Sequence, residues 1–186
     1  MPSSDWGGAL EAWIESEDVT ADGRVFETFY AAHAEPTLAV VLALRGHRVG
    51  AEDVVQEAFA RALQRWDAVG VMDRPDLWVQ RVALNLATSR LRRLGSEQRA
   101  LERLRGRATP PPTTVAFERE QPFWDLVRRL PARQARVVAL RYAGELSVRE
   151  IAEVVGAAQG TVKAQLHTAR RRLQHLVETA ERQESR

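Results

Sequence analysis

The stretch Leu146–Leu173, LSVREIAEVVGAAQGTVKAQLHTARRRL, reads as two helices joined by a short Gly-containing turn. Ser147 followed three residues later by Glu150 is a capping box: the serine oxygen accepts an orphan amide while the glutamate reaches back to the serine amide. Ile151, Val154 and Val155 repeat at helical spacing, and Gly156 supplies the stop. A second helix is expected from about Gln159. Val162, Leu166, Ala169 and Leu173 follow at steps of four, three and four and form one buried stripe. The opposite face carries Thr161, Lys163, Ala164, Gln165, His167, Thr168 and Arg171. Short hydrogen-bonding side chains come first and arginines later, which suits a helix entering a major groove between phosphates. The same pattern on a lone helix would describe an ordinary solvated face; the tandem helices, turn length and basic end together favour DNA.

Composition narrows the classes. A chain of 186 residues holds one or two domains with enough apolar content to bury cores. It has no Cys, which rules out disulfides and thiolate metal sites and fits a reducing compartment. No apolar run reaches membrane-spanning length and the N-terminus lacks a basic-then-apolar signal pattern, so a cytoplasmic protein with no membrane insertion is expected. The net charge of +2 hides a division: residues 1–80 carry 6 Lys and Arg against 14 Asp and Glu, residues 81–186 carry 21 against 11. Such asymmetry assigns one half to nucleic acid and an acidic portion to a protein partner or to self-masking. Lys163 is the sole lysine among the basic residues. Arginine suits bidentate phosphate contacts, although coding bias produces the same skew.

Working outward, Pro122–Leu130 and Ala132–Tyr142 read as the helices leading into the tandem pair, with Pro131 between them and Gly144 ending the second. Before them, Gly95–Gln121 is charged and then Pro-rich, a linker of semi-rigid, partly extended chain. Leu77–Leu94 is a helix with Trp78, Val82, Leu86 and Ala83 inward and Arg81, Asn85, Arg90, Arg92 and Arg93 elsewhere. An aromatic beside spaced arginines and an amide is what single-stranded DNA recognition uses; Trp78 as plain core is the competing reading. A loop spans Asp67–Asp76. Glu52–Trp66 is strongly periodic, with Val55, Phe59, Leu63 and Trp66 on one side, Ala58 and Ala62 filling, and Asp53, Gln56, Glu57, Ala60 and Gln64 on the other. Val25–Ala43 is one helix or a pair interrupted at Pro36. The first twenty residues place Trp6, Leu10, Trp13 and Ile14 among acids, as a short acidic amphipathic helix or a frayed tail. If helical, the segment's apolar side needs a surface, and packing on the basic half or on a partner would limit DNA binding. The last residues, 179–186, read as a polar tail.

Catalysis has little to stand on. There is no phosphate-cradling Gly-rich loop and no His/carboxylate constellation for a metal. His167 and His175 lie two helical turns apart, too far to share an ion. Asp73 and Asp76 are close in sequence, but they sit in a loop that has a better explanation than catalysis. The expected class is a non-enzyme with no cofactor, no metal and no catalytic residue.

With these residues in view, the chain resembles bacterial RNA polymerase sigma factors of the extracytoplasmic-function (ECF) group of the sigma-70 family. The resemblance covers roughly Val25–Val177, and three motifs carry it: AEDVVQEAFARAL (Ala51–Leu63), LWVQRVALNLATSRLRR (Leu77–Arg93) and LPARQARVVALRYAGELSVREIAEVVGAAQGTVKAQLHTARRRL (Leu130–Leu173). The third alone is shared with other helix-turn-helix activators; the three in this order across a linker are specific. The resemblance implies an all-α architecture, two small helical domains joined by a flexible linker, the C-terminal one a helix-turn-helix. Its parts would be an acidic extension (1–20), a region 2 domain (21–95), a linker (96–120), a region 4 domain (121–178) and the tail.

The resemblance also implies roles. Asp53, Gln56, Glu57, Ala60 and Gln64 would dock on the clamp helices of the polymerase largest subunit, with the flap region as a second contact. Arg74, Trp78, Arg81, Asn85, Arg90, Arg92 and Arg93 would read and melt the −10 element, and the loop Val69–Asp76 would hold a flipped base, whose extraction is recovered by stacking and edge hydrogen bonds. Arg149, Thr161, Lys163, Gln165, His167, Arg170, Arg171 and Arg172 would contact the −35 element. An anti-sigma factor is a partner class the family brings with it, but no residue here identifies one. Two departures bear on the −35 contact. Ala158 and Gln159 stand where the family commonly has Ser and Glu, removing a helix cap worth about 1 kcal/mol, and Gln165 replaces a usual Arg. The other reading of the same residues is a conventional helix-turn-helix activator or repressor, which as a dimer would bind palindromic half-sites without polymerase.

Overall fold

The computed structural model describes residues 21–89 and 121–184. All regular structure among these is helical. Helix α1 spans Ala21–Arg45 without a break at Pro36, so the first segment is one helix rather than a pair. Thr37 sits next to the proline, and its Oγ1 donates to the His33 carbonyl at 2.7 Å. Helix α2 (Arg48–Leu63) and the short α3 (Trp66–Val69) follow. Helix α4 covers residues 75–89, with Pro75 at its first position, where a missing N–H costs nothing. The remaining helices are α5 (Gln121–Arg128), α6 (Ala132–Tyr142), α7 (Val148–Val155) and α8 (Gln159–Glu184).

The N-terminal helices bury Phe26, Leu38, Val41 and Leu42 of α1 against Val54, Val55, Ala58, Phe59 and Ala62 of α2 and Val79, Ala83 and Ala87 of α4. Aromatic rings close its end: Trp66 meets Phe26 edge-on at 4.9 Å and Phe29 at 5.0 Å. Trp66 and the buried Val69 explain why the segment expected as loop from Asp67 contains a helical turn. The C-terminal core joins Trp124, Val127 and Leu130 to Val137, Val138 and Leu140, then to Ile151, Val154, Val162 and Ala169.

These two cores are not separated by solvent. Val40 and Ala43 of α1, with Leu77 and Leu84 of α4, belong to the same buried cluster as the C-terminal helices. Close approach at this seam is seen at Gly144, where an added Cβ would fall 2.8 Å from Val40 Cγ2. Arg128 Nη1 also crosses it, donating to the Ala43 carbonyl at 3.2 Å. Helix α4 therefore has two buried sides. Trp78, Val82 and Leu86 do lie against the N-terminal core, but only half-buried; the fully buried residues are Val79, Ala83 and Ala87 on one side and Leu77 and Leu84 on the other. Sequence periodicity finds one stripe per helix and missed the second.

The tandem pair forms as its caps dictate. Ser147 Oγ accepts from the Glu150 amide at 3.3 Å, while the Ser147 amide donates to Glu150 Oε2 at 2.8 Å, completing the capping box. Gly156 ends α7 in the left-handed region at φ 66°, and the Ala157 amide reaches the Ala152 carbonyl at 3.0 Å, as a Schellman ending requires. On α8, Val162 and Ala169 are completely buried, and Leu166 and Leu173 pack against the same core.

Candidate nucleic-acid and polymerase interface

On α2, the buried and exposed sides divide as the pattern demands. Asp53, Gln56 and Ala60 are exposed, Gln64 lies exposed at the helix end, and Glu57 is half-buried beside Arg61, whose Nε donates to Glu57 Oε1 at 2.8 Å. No α2 side chain enters the cluster shared with the C-terminal helices. This face is acidic, amide-rich and open, the surface expected of a protein contact rather than a nucleic-acid contact.

The second set centres on the start of α4. Arg74 Nε and Nη2 make paired bonds to Asp76 Oδ1 and Oδ2 at 2.9 and 2.7 Å, a fork-on-carboxylate geometry that fixes the guanidinium plane. Its Nη1 reaches Glu150 on α7. Both carboxylates are held below their ordinary range. Glu150 is pulled down to about 2 by the Ser147 hydroxyl, the Arg74 guanidinium and the Ser147 amide. Partial burial alone would raise Asp76; the Arg74 bonds and charge, with His33 and the Leu77 amide, hold it below the ordinary aspartate range. Arg74 itself is raised by the same bonds. Two turns on, Arg81 Nε donates to the Val154 carbonyl at 3.1 Å and Nη2 to the Glu153 carbonyl. These are last-turn carbonyls of α7, the negative end of that helix, where a cation is favoured. Trp78 is half-buried against the N-terminal core, and Asn85 is exposed. Arg90, Arg92 and Arg93 lie outside the described residues.

The third set lies on α8 and α7. Thr161, Lys163, His167, Arg170, Arg171 and Arg172 are exposed and Gln165 half-exposed, with Gln165, Arg170 and Arg172 flanking the Val162–Ala169 stripe, and Arg149 is exposed on α7. Arg172 Nη1 donates to Gln134 Oε1 at 3.1 Å, which ties the basic end of α8 to α6. The −35 candidates expected from the sequence are exposed or half-exposed on α7 and α8. What it missed is that Arg74 and Arg81 are apposed to α7, through Glu150 and two backbone carbonyls. Asp76, two residues from Arg74, was within reach of local reasoning; Glu150, 76 residues away, was not. Among the described residues no group of three or more His, Asp or Glu could hold a metal ion, and no helix is long and apolar enough to cross a membrane.

Comparison with known proteins gives this arrangement a context. The sigma-70 region 2 family matches residues 29–97, and the sigma-70 region 4 family matches residues 120–173. The ECF RNA polymerase sigma factor SigW of Bacillus subtilis is 31% identical over 136 residues, covering 66% of this chain and 73% of that protein. The RNA polymerase sigma-E factor of Streptomyces avermitilis is 30% identical over 161 residues, covering 86% of this chain and 89% of that protein. Among solved structures, the sigma factor RpoE in complex with the anti-sigma factor NepR from Bartonella quintana is similar with a TM-score of 0.66 at 25% identity, covering 82% of this chain and 96% of that one. CnrH in complex with the cytosolic domain of CnrY shares the fold, with a TM-score of 0.55 at 24% identity and coverage of 92% and 96%.

Proposed function

The chain belongs to the ECF group of RNA polymerase sigma factors, and from that premise we propose how its surfaces divide the work. It is an alternative sigma factor, which binds core RNA polymerase and directs it to promoters through their −35 and −10 elements. The reading of it as a free-standing helix-turn-helix regulator is not favoured, because a second, region 2 match precedes the helix-turn-helix. Residues 21–95 serve as the docking and −10 module, residues 121–178 as the −35 module, residues 96–120 as the linker and residues 1–20 as an acidic extension outside the described structure. The factor performs no bond chemistry; the polymerase it recruits does, in the cytoplasm.

One observation supports the docking assignment most directly. Along α2 and its C-terminal end, Asp53, Gln56, Ala60 and Gln64 are exposed with the half-buried Glu57 among them, while the opposite side is locked into the core by Val54, Val55, Ala58 and Phe59. Polymerase takes this face. Arg74, Trp78, Arg81, Asn85, Arg90, Arg92 and Arg93 then act on the −10 strand, the arginines neutralising backbone and Trp78 and Asn85 engaging bases. Arg149, Thr161, Lys163, Gln165, His167, Arg170, Arg171 and Arg172 act on the −35 duplex, the early α8 residues toward base edges and the arginine run toward phosphates. An anti-sigma factor is a further partner class, since the similar RpoE and CnrH structures hold such regulators or a cytosolic partner domain. The test is run-off transcription by purified core polymerase on a genomic fragment library with and without this chain. Discrete new start sites that share two spaced elements are expected; a library profile identical to core alone refutes the reading.

A further inference from the structure

The loop between α3 and α4 is fastened at both ends. At its start Val69 is buried, and the Gly70 amide donates to the Trp66 carbonyl at 2.7 Å. A Cβ on Gly70 would fall 2.9 Å from Trp66 Cε2 and from that carbonyl oxygen, so a larger residue would collide with both. The Met72 amide then donates to the Val69 carbonyl at 3.1 Å. At its end Asp76 accepts Arg74 Nε and Nη2 on its two oxygens, at 2.9 and 2.7 Å, across Pro75, whose ring restricts φ. Between these ends Val71 stands 82% exposed with Met72 exposed beside it. We propose that Asp76 is a positioning residue for −10 recognition: its carboxylate holds the Arg74 guanidinium and so sets the shape of the loop Val69–Asp76 before DNA arrives. The proposal rests on the reading of that loop as the base holder and of Arg74 as a −10 contact.

Three observations support this role. First, a planar fork set against two carboxylate oxygens fixes the guanidinium in rotation as well as in place. A single-point contact would leave it free to turn. Second, the fork uses Arg74 Nε and Nη2 inside the loop and leaves Nη1 for a partner outside it, which here is Glu150. Arg74 thus has one edge for structure and one for recognition. Third, Asp76 is itself anchored. It lies in the first turn of α4 beside the buried Leu77, and its side chain is only 18% exposed, so the fork is fastened to the helix. An acid at this position favours a helix start on charge alone. That role asks nothing of Arg74, whereas here both carboxylate oxygens go to this one residue ahead of the helix. A loop with pinned ends has less freedom to lose when a base is taken in, so recognition begins from a shape close to the bound one.

The test is open-complex formation by holoenzyme at a promoter recovered from the run-off library, with a fluorescent adenine analogue at successive −10 non-template positions. Its emission rises when the base leaves the stack. The rate at saturating holoenzyme reports extraction of the base, and the half-saturating concentration reports initial binding. Asp76→Asn removes the charge and one acceptor, and should slow the rise about two- to fivefold, the range for a partly exposed ion pair. The half-saturating concentration and the affinity for core polymerase should stay as in the parent. Arg74→Lys lies ahead of α4 and cannot fork; it should slow the rise to a similar degree. The double variant should be no slower than the slower single one, because both remove the same contact. Losses that multiply in the double variant, or a parental rate for Asp76→Asn beside a slow Arg74→Lys, make Arg74 act alone and overturn the inference. A slow Asp76→Asn beside a parental Arg74→Lys assigns the effect to the start of α4 and overturns it too, as does a raised half-saturating concentration at an unchanged rate. A parent holoenzyme that starts transcription yet gives a rise at no −10 position overturns the base-holding reading of the loop, and the inference with it.

Discussion

The two residue sets proposed to face DNA in this sigma factor are built from similar residue types and differ in their surroundings. On α8, Lys163, Arg170 and Arg171 project from a helix whose other side is sealed by Val162 and Ala169, so the reading face is preformed. At the start of α4, Arg74 and Arg81 are engaged by Asp76, Glu150 and the end of α7. On the proposed roles, the first set would need only a duplex, and the second would have to exchange partners. A basic residue on an exposed helix is thus not equivalent to an available one, and availability is set by what packs across from it.

The largest effects should come from asking whether the two sets share one cooperative unit. Phe59→Ala in the N-terminal core and Leu140→Ala in the cluster that crosses the seam remove fully buried side chains. Each should cost about 3–5 and 2–5 kcal/mol respectively, read from denaturant midpoints. A single transition that moves in both variants marks the modules as coupled; two transitions, each moved by one variant, separates them.

Next come the contacts themselves. Arg171→Ala on the preformed face should weaken holoenzyme binding to the −35 element by about 1–3 kcal/mol if it meets a base, or reduce the salt slope by about one if it meets phosphate. Titrations at several salt concentrations with otherwise identical promoters decide between them.

Smaller effects test the helix ends that position each set. Ser147→Ala removes the α7 cap and should cost about 1 kcal/mol. At the α8 start the change runs the other way. Ala158 accepts from the Val162 amide through its carbonyl but has no side-chain oxygen, so Ala158→Ser should gain about 0.5–1 kcal/mol. Thermal unfolding of the two variants should bracket the parent.

The smallest effect is acid sensitivity at the Arg74–Glu150 contact. Glu150 titrates near 2 in the folded chain, below its ordinary value of 4.5. Its contribution is therefore fully present above about pH 4.5 and is lost as pH falls toward 2. The parent should lose stability more steeply than Glu150→Gln in that window; equal slopes would remove Glu150 from the linkage.

Much of this was legible in the sequence because it is local. Ser147 and Glu150 are three residues apart, and Val162, Leu166, Ala169 and Leu173 share one helix, so spacing alone placed the cap and the stripe. The exposed face of α2 followed from its buried one. What could not be read was the second use of the same residues. Leu77 and Leu84 are buried by a module that begins more than thirty residues later, and no period in α4 announces it. Glu150 completes a capping box whether or not Arg74 meets it. Pro36 signalled a possible break, yet α1 continues through it, because packing on both sides of the helix outweighs one missing amide. Family resemblance supplied the roles; it did not supply the apposition of Arg81 to α7.

The most direct test is the affinity of core polymerase for the full chain compared with its Asp53→Lys/Glu57→Lys variant, by competition against a labelled sigma factor. The account requires tight binding by the parent and a loss of at least tenfold in the variant, with the variant's helical content and thermal unfolding unaltered. Equal affinities, or no binding by either, would contradict it.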